Sequence, residues 1–428
     1  MNSLTDRIKL IFAGVMAIAA TGAVYGAEPD FAHIASRLAS SISAGQAESA
    51  SLIAEKSSLK AEVVPSDPEV EFEYLWPSSA GEQGRWSAGV SQELPDFRRM
   101  GATRRVVRAI DSLDIAQRMA VGAEAMYEAE QKLISLVGAR RELMMLQEIH
   151  ENLDSLTAAY TRAWEKGEVS ILDLNKIKIE HARASAADDE AQGNVAALTA
   201  EIVALSGGEI KQDWLDSLTD YPMYQLPVAG HGCSLDEGIM EPVVRNSPQY
   251  RVMEAREKVA LEKINLASKE RFPKLTLGYV HAYEEGTHFN GLSAGLTLPV
   301  FSRGSSLDAV TAEGMAEMLG NEMKLREMVA SANADCRRAH MLERQLAMLG
   351  PAVENTNNVR LLKMALEGGE ITLLEYLQET SYFVDAAREY NAARLEYALT
   401  LASLARWSYQ EQGLGVTASG GYGDGVKL

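Results

Sequence analysis

Residues 166–174 read KGEVSILDL, and residues 368–376 read GGEITLLEY. Both fit G-E-[VI]-[ST]-[IL]-L-[DE]. Each sets a carboxylate, Asp173 or Glu375, three residues after a hydroxyl, Ser170 or Thr372, which itself follows a glycine, Gly167 or Gly369. Glycine supplies the tight turn at a helix end, the hydroxyl caps the returning helix, and an acid in the first turn is favoured by the helix dipole. The chemistry on offer is electrostatic. Bond-making groups are not assembled anywhere: the seven histidines (33, 150, 181, 231, 281, 288, 340) are dispersed, and the chain has no H-E-x-x-H, P-loop or G-x-S-x-G. His281 and His288 bracket an external loop and read as surface residues. Met144, Met145, Met315, Met318 and Met323 fall in helical runs, where methionine fills gaps in packing. An enzyme is not expected, nor a cofactor or resident metal.

The phrase recurs at an offset of 202 residues, from Gly167 to Gly369. Other anchors keep the same order: PEVEFEY (68–74) answers PKLTLGY (273–279), SAGVS (87–91) answers SAGLT (293–297), and MLQEIHEN (145–152) answers MLGPAVEN (348–355). Offsets drift only between 202 and 206, the mark of a tandem duplication. The expected division is a leader at 1–27, a first repeat at 28–206, a linker at 207–245, a second repeat at 246–411 and a tail at 412–428.

Each repeat carries the same elements. A helical stretch (33–61 or 246–271) leads into two segments of period-2 alternation. Val70, Phe72, Tyr74 and Trp76 alternate with Glu69, Glu71 and Glu73, while Leu292, Ala294, Leu296 and Leu298 alternate with Ser293, Gly295 and Thr297. Such alternation predicts strands with one apolar and one polar face, hence hairpins over about 68–95 and 273–300. Long helices poor in Gly and Pro follow (98–165 and 302–366), turn at tips near 167–173 and 369–375, and return over 171–206 and 372–411. Pro351 should break or kink the second long helix; the first copy carries Glu148 there.

The balance is acidic, 60 Asp and Glu against 41 Lys and Arg in 428 residues, with no basic cluster to bind nucleic acid. Arg7 and Lys9 precede the apolar run LIFAGVMAIAATGAVYGA, which reads as a secretory signal. The two cysteines, Cys233 and Cys336, lie in unlike contexts and are expected to be free. A lone hairpin between long helices is marginal. It needs other hairpins to close a ring, and in a membrane closure is compulsory. Apolar outward and polar inward faces suit a water-filled barrel.

Leader, duplicated helix–hairpin–long helix–tip–helix order, and P-x-F at each strand-to-helix passage (Pro95 and Phe97; Pro299 and Phe301) resemble the TolC-like outer-membrane efflux family. DPEVEFEYLW resembles its cobalt-zinc-cadmium-type branch. The resemblance implies a mixed α+β membrane protein. Its long helices form a coiled-coil barrel continuous with a trimeric, twelve-stranded transmembrane β-barrel, four strands per chain. It implies a homotrimer in outer-membrane lipid of a Gram-negative bacterium, with a periplasmic helical extension. The partners would be a periplasmic adaptor and a proton-driven inner-membrane pump. Gly167, Ser170, Gly369 and Thr372 would form the tip where the adaptor docks, and Asp173, Glu375 and Gln378 the aperture gate. Family patterns often place an acid where Gln378 stands, and a basic residue near Ile371. A second reading is a soluble periplasmic coiled-coil adaptor or tether.

Overall fold

The computed structural model describes residues 30–42, 47–61, 66–76, 84–224, 240–269, 273–284, 286–298, 305–353 and 358–409. The leader, Pro299, Phe301, Cys233, much of the 207–245 linker and the 412–428 tail lie outside them. The first repeat contains α1 (Phe31–Ile42), α2 (Ala47–Ala61), β1 (Glu69–Leu75), β2 (Arg85–Glu93), α3 (Phe97–Glu165) and α4 (Ile171–Leu205). Two five-residue helices, α5 (Gln212–Asp216) and α6 (Glu241–Arg245), belong to the linker. The second repeat contains α7 (Pro248–Lys269), β3 (Lys274–Glu284), β4 (Thr287–Thr297), α8 (Ser305–Val353), α9 (Asn358–Glu367) and α10 (Leu373–Ala405).

The helical stretch expected over 33–61 is two helices, α1 and α2. Residues 43–46 between them lie outside the described residues. The uninterrupted α3 has 69 residues, or about 100 Å of rise. Its counterpart ends at Val353, two residues past Pro351, and helix resumes at Asn358. Pro351 lies inside α8, where proline removes one backbone donor and crowds the carbonyl four residues back; residues 354–357, where a break would fall, lie outside the described residues.

The long helices pack side by side: α3 against α4, α7 and α10, and α8 against α7 and α10. Each repeat builds an equivalent core at mid-length. In the first, Ala125, Ala129, Leu133 and Leu136 of α3 meet Ile34, Ala35 and Leu38 of α1 and Ile202 of α4. In the second, Met328, Ala332, Cys336 and Ala339 of α8 meet Leu401, Leu404 and Trp407. These two sets of four stand 203 residues apart position by position, so the duplication written in sequence is also a duplication of packing. Both sets fall on one helix face, and their alanines let neighbouring backbones approach closely.

Cys336 corrects one expectation. It replaces Leu133 of the first core, is 5% exposed, and is disulfide-bonded. Among the described residues no cysteine is free. Unfolded without reductant, the chain should give no reaction with a thiol reagent; after reduction it should give two thiols.

Glu130 of α3 anchors two distant segments. Its Oε2 accepts hydrogen bonds from the Tyr224 hydroxyl at 2.8 Å and the Tyr409 hydroxyl at 2.5 Å. Burial pushes this carboxyl above its ordinary range, and the two phenol bonds pull it back. The linker and the chain's last described residue are thereby fastened to the same turn of α3.

Close approach is enforced nearby at Gly138. A Cβ there would lie 2.9 Å from Leu395 Cδ1 of α10 and 3.2 Å from the Tyr221 hydroxyl. Gly138→Val should destabilise the fold by about 1–3 kcal/mol, the usual cost of overpacking, read as a lowered thermal midpoint by circular dichroism.

Candidate functional site

Two regions at opposite ends of the long helices carry the functional interest: the sheet and the pair of tips. The sheet runs in the order β1-β2-β3-β4, antiparallel throughout. Its register puts the alternating residues of all four strands into common rows. One mid-strand row is Val70–Val90–Tyr279–Leu292; the next row on the opposite face is Glu69–Ser91–Gly278–Ser293.

The apolar face is uncovered. Val70 is 76% exposed, Phe72 69% and Leu292 91%, and Trp76, Val90, Leu275, Leu277, Tyr279 and Leu296 are also exposed. An exposed apolar surface this continuous marks a membrane or protein contact. Aromatic side chains gather at the hairpin ends: Phe72 stacks on Trp86, Trp86 on Tyr283, and Tyr74 meets Trp76 edge-on. The other face carries Glu69, Glu71 and Glu73 in a file along β1. Ion pairs Lys274–Glu93 at 3.0 Å and Arg85–Glu284 at 3.6 Å flank that file.

Pro95 stands where the ladder stops. The Leu94 N–H donates to the Leu275 carbonyl at 2.8 Å, the last cross-strand bond before it, and proline cannot donate another. Asp96 then caps α3, accepting from the Arg98 and Arg99 N–H groups at 2.9 and 3.2 Å. Phe97, the first helical residue, is exposed on the sheet-side end of the helix.

At the other end the repeated phrase folds twice into one shape. Gly167 has φ +76° and Gly369 φ +71°, a left-handed conformation that glycine adopts without strain. In the first copy, Glu168 N–H bonds to Ala163 O at 2.9 Å and Gly167 N–H to Trp164 O at 2.9 Å. In the second, Glu370 N–H bonds to Ala365 O at 2.8 Å and Gly369 N–H to Leu366 O at 3.1 Å. Both are Schellman closures that satisfy the last carbonyls of the incoming helix.

The returning helices start alike. Ser170 Oγ accepts from Asp173 N–H at 3.2 Å and donates to Asp173 Oδ2 at 2.7 Å. Thr372 Oγ1 accepts from Glu375 N–H at 3.3 Å, while Glu375 Oε2 accepts from Thr372 N–H at 2.7 Å. The longer glutamate completes a reciprocal capping box that aspartate does not reach around to form. Hydrogen bonding from Ser170, followed by Lys176, holds Asp173 below the usual carboxylate range. The backbone and hydroxyl of Thr372 do the same for Glu375.

The two tips pack together. Leu156 and Ile177 of the first repeat share a buried cluster with Leu373 and Tyr376 of the second, with Ile371 against it. Lys363 donates to Ser155 Oγ at 2.9 Å across the same seam. Gln378 is exposed one turn beyond Glu375. Sequence reasoning passed over Leu172 and Leu374, equivalent residues at the start of each returning helix, 68% and 51% exposed. The signal was present: each follows the residue after the cap, in both copies of the phrase.

No protein-family model matches the chain, and no curated protein does. Solved structures do. The Campylobacter jejuni CmeC outer membrane channel superposes with TM-score 0.68 at 13% identity, covering 88% of this chain and 85% of CmeC. The outer membrane protein VceC of Vibrio cholerae gives 0.67 at 12%, covering 88% and 95%. The open state of the Neisseria gonorrhoeae MtrE outer membrane channel gives 0.63 at 15%, covering 89% and 88%. The chain therefore has the fold of one subunit of such outer-membrane channels. The resemblance to the TolC-like family read from its residues extends to the three-dimensional arrangement of both repeats.

Proposed function

We propose that this chain is the outer-membrane exit duct of a tripartite efflux system, passive in itself and driven by an inner-membrane pump through a periplasmic adaptor. The observation that carries the proposal is the two-faced sheet with its uncovered apolar side. Among the described residues, β1 and β4 each pair on one edge alone, and in this antiparallel order they run opposite to one another. Strand β4 of one copy can therefore continue the ladder onto β1 of the next. Three copies give twelve strands and leave no open edge, as hydrocarbon requires. Exposed Met315, Leu319 and Met323 on α8, one turn apart, would be covered by the neighbouring copy's helices in the same assembly.

In that assembly the apolar rows face lipid, and Glu69, Glu71 and Glu73 recur three times each along the lumen. The helices prolong the barrel as a periplasmic tube. At its far end Gly167, Ser170, Gly369 and Thr372 shape the tips, and exposed Leu172 and Leu374 offer the adaptor an apolar footing. Asp173 and Glu375 set six carboxylates around the mouth, with Gln378 one turn above. Among the described residues no helix is long and apolar enough to cross a membrane; it is the exposed apolar face of the sheet that we assign to lipid. The cargo is chosen by the pump rather than by this chain.

The test is reconstitution. Detergent-solubilised protein should cross-link to a trimer, and in planar bilayers it should conduct, preferring cations because its lumen carries the file of Glu69, Glu71 and Glu73. A monomer that leaves the envelope without detergent and forms no channel would instead support a soluble periplasmic adaptor or tether.

A further inference from the structure

We infer that the β3–β4 hairpin carries a two-histidine chelating site for a borderline transition metal such as Zn²⁺, Ni²⁺ or Cu²⁺, built from His281 Nε2 and His288 Nδ1. The two residues sit on the apolar face near the hairpin end, on neighbouring strands and diagonal to one another: His281 opposes Asn290, and His288 opposes Tyr283. Their facing nitrogens are 3.3 Å apart. Two nitrogens at that spacing, each about 2.05 Å from a shared metal, subtend about 107° at it, close to the tetrahedral angle. The rings lie nearly parallel, 24° between planes.

The tautomer is set as a ligand would need it. His281 Nδ1 lies 2.7 Å from Asn290 Oδ1, which also accepts from the Tyr279 hydroxyl at 2.7 Å. A carbonyl oxygen only accepts, so the proton of neutral His281 stays on Nδ1 and the lone pair is left on Nε2, facing His288. Metal-bound histidines are held this way, the second ring nitrogen donating to an outer oxygen. The 3.3 Å contact is then a hydrogen bond from His288 Nδ1–H to His281 Nε2; a bound metal would take the place of that proton, with His288 protonated on Nε2 instead. Trp86 and Tyr283 wall the pair, at ring distances of 5.4 Å from His281 and 5.0 Å from His288.

Among the described residues no group of three His, Cys, Asp or Glu closes around a metal. The pair therefore supplies half of a tetrahedral shell, and at the hairpin end, four residues along β4 from mid-strand Leu292, the other positions stay open to water, as a catalytic rather than a closed structural site keeps a position open. Imidazole selects the later first-row metals over Mg²⁺ and Ca²⁺. The geometry belongs to one hairpin and does not depend on the channel reading.

The experiment titrates untagged, detergent-solubilised, full-length protein with Zn²⁺ by calorimetry and with Cu²⁺ by electron paramagnetic resonance. One metal per chain is expected, with nitrogen hyperfine structure from two imidazoles. His281→Ala and His288→Ala should each abolish that signal. Asn290→Ala should weaken binding by about tenfold, the usual size of an outer-oxygen effect. The double variant His150→Ala/His181→Ala, altering the other pair of contacting histidine rings, tilted at 57°, should leave binding unchanged. Unchanged circular dichroism qualifies each variant. Stoichiometric binding that survives both hairpin substitutions, or no binding by the wild-type protein, would overturn the inference.

Discussion

Leu292→Arg should remove the protein from the outer membrane as a trimer, whereas Ser293→Arg, one residue along the same strand, should leave assembly intact. Leu292 is the sixth of the eleven residues of β4, hence at its middle, and belongs to the apolar row with Tyr279, Val90 and Val70. An arginine facing lipid at the midplane costs about 2–4 kcal/mol. Three copies bring about 6–12 kcal/mol per trimer, comparable to the entire stability of an ordinary domain. Ser293 points to the opposite face, into the row of Glu69 and Ser91. Its replacement places a cation among carboxylates in water, so the trimer should persist and its cation preference should fall. Outer-membrane fractionation with heat-modifiable electrophoresis reads the first outcome, and reversal potentials across a salt gradient read the second. Equal tolerance of both substitutions would remove the sheet from lipid.

The second large effect concerns the mouth of the tube. Asp173→Asn together with Glu375→Gln should abolish block by divalent ions at the periplasmic end and lower cation preference to what the lumen glutamates supply, while leaving the tips folded. Alanine would confound the two roles, because Glu375 also caps its helix and Asp173 accepts from the capping Ser170 hydroxyl. The amides keep an oxygen where Ser170 and Thr372 donate, so the measured change reports charge alone. The pH dependence follows from the same bonds. Both carboxyls are lowered in the fold, so their capping contribution is present above their unfolded values and is lost as pH falls through the folded ones. The selectivity of the wild-type pore should hold steady from neutrality and titrate below the ordinary carboxylate range of about 4. A midpoint above that range would mean that six crowded acids repel each other more strongly than the caps hold them.

Much of this could be read from residue order because the determinants are local. Alternation in Glu69–Leu75 and Thr287–Thr297 is a property of consecutive residues, as are the glycine, hydroxyl and acid of each tip and the proline inside α8. The duplication added a second measurement of every element. What escaped is long-range. Nothing in the residues around Cys336, in a helical run, or Cys233, in a glycine-rich stretch, encodes the distance between them, so the bonded state of Cys336 could not be read. Glu130 is one acid among many in a charged helix. Only the fold brings Tyr224 and Tyr409 to it, across sequence separations of 94 and 279 residues. His281 and His288 looked like two surface residues beside a loop; register alone turned them toward one another.

The unbroken α3 acts as a ruler. One residue inserted into it would advance everything beyond by about 1.5 Å and swing it through about 100°, turning the buried face of the tip toward solvent. Seven residues would nearly restore the heading but push one tip about 10 Å past its twin, out of the shared cluster of Leu156, Ile177, Leu373 and Tyr376. The two halves of the gene are thus locked in length: a change in the reach of one survives only if the other is rewritten to match.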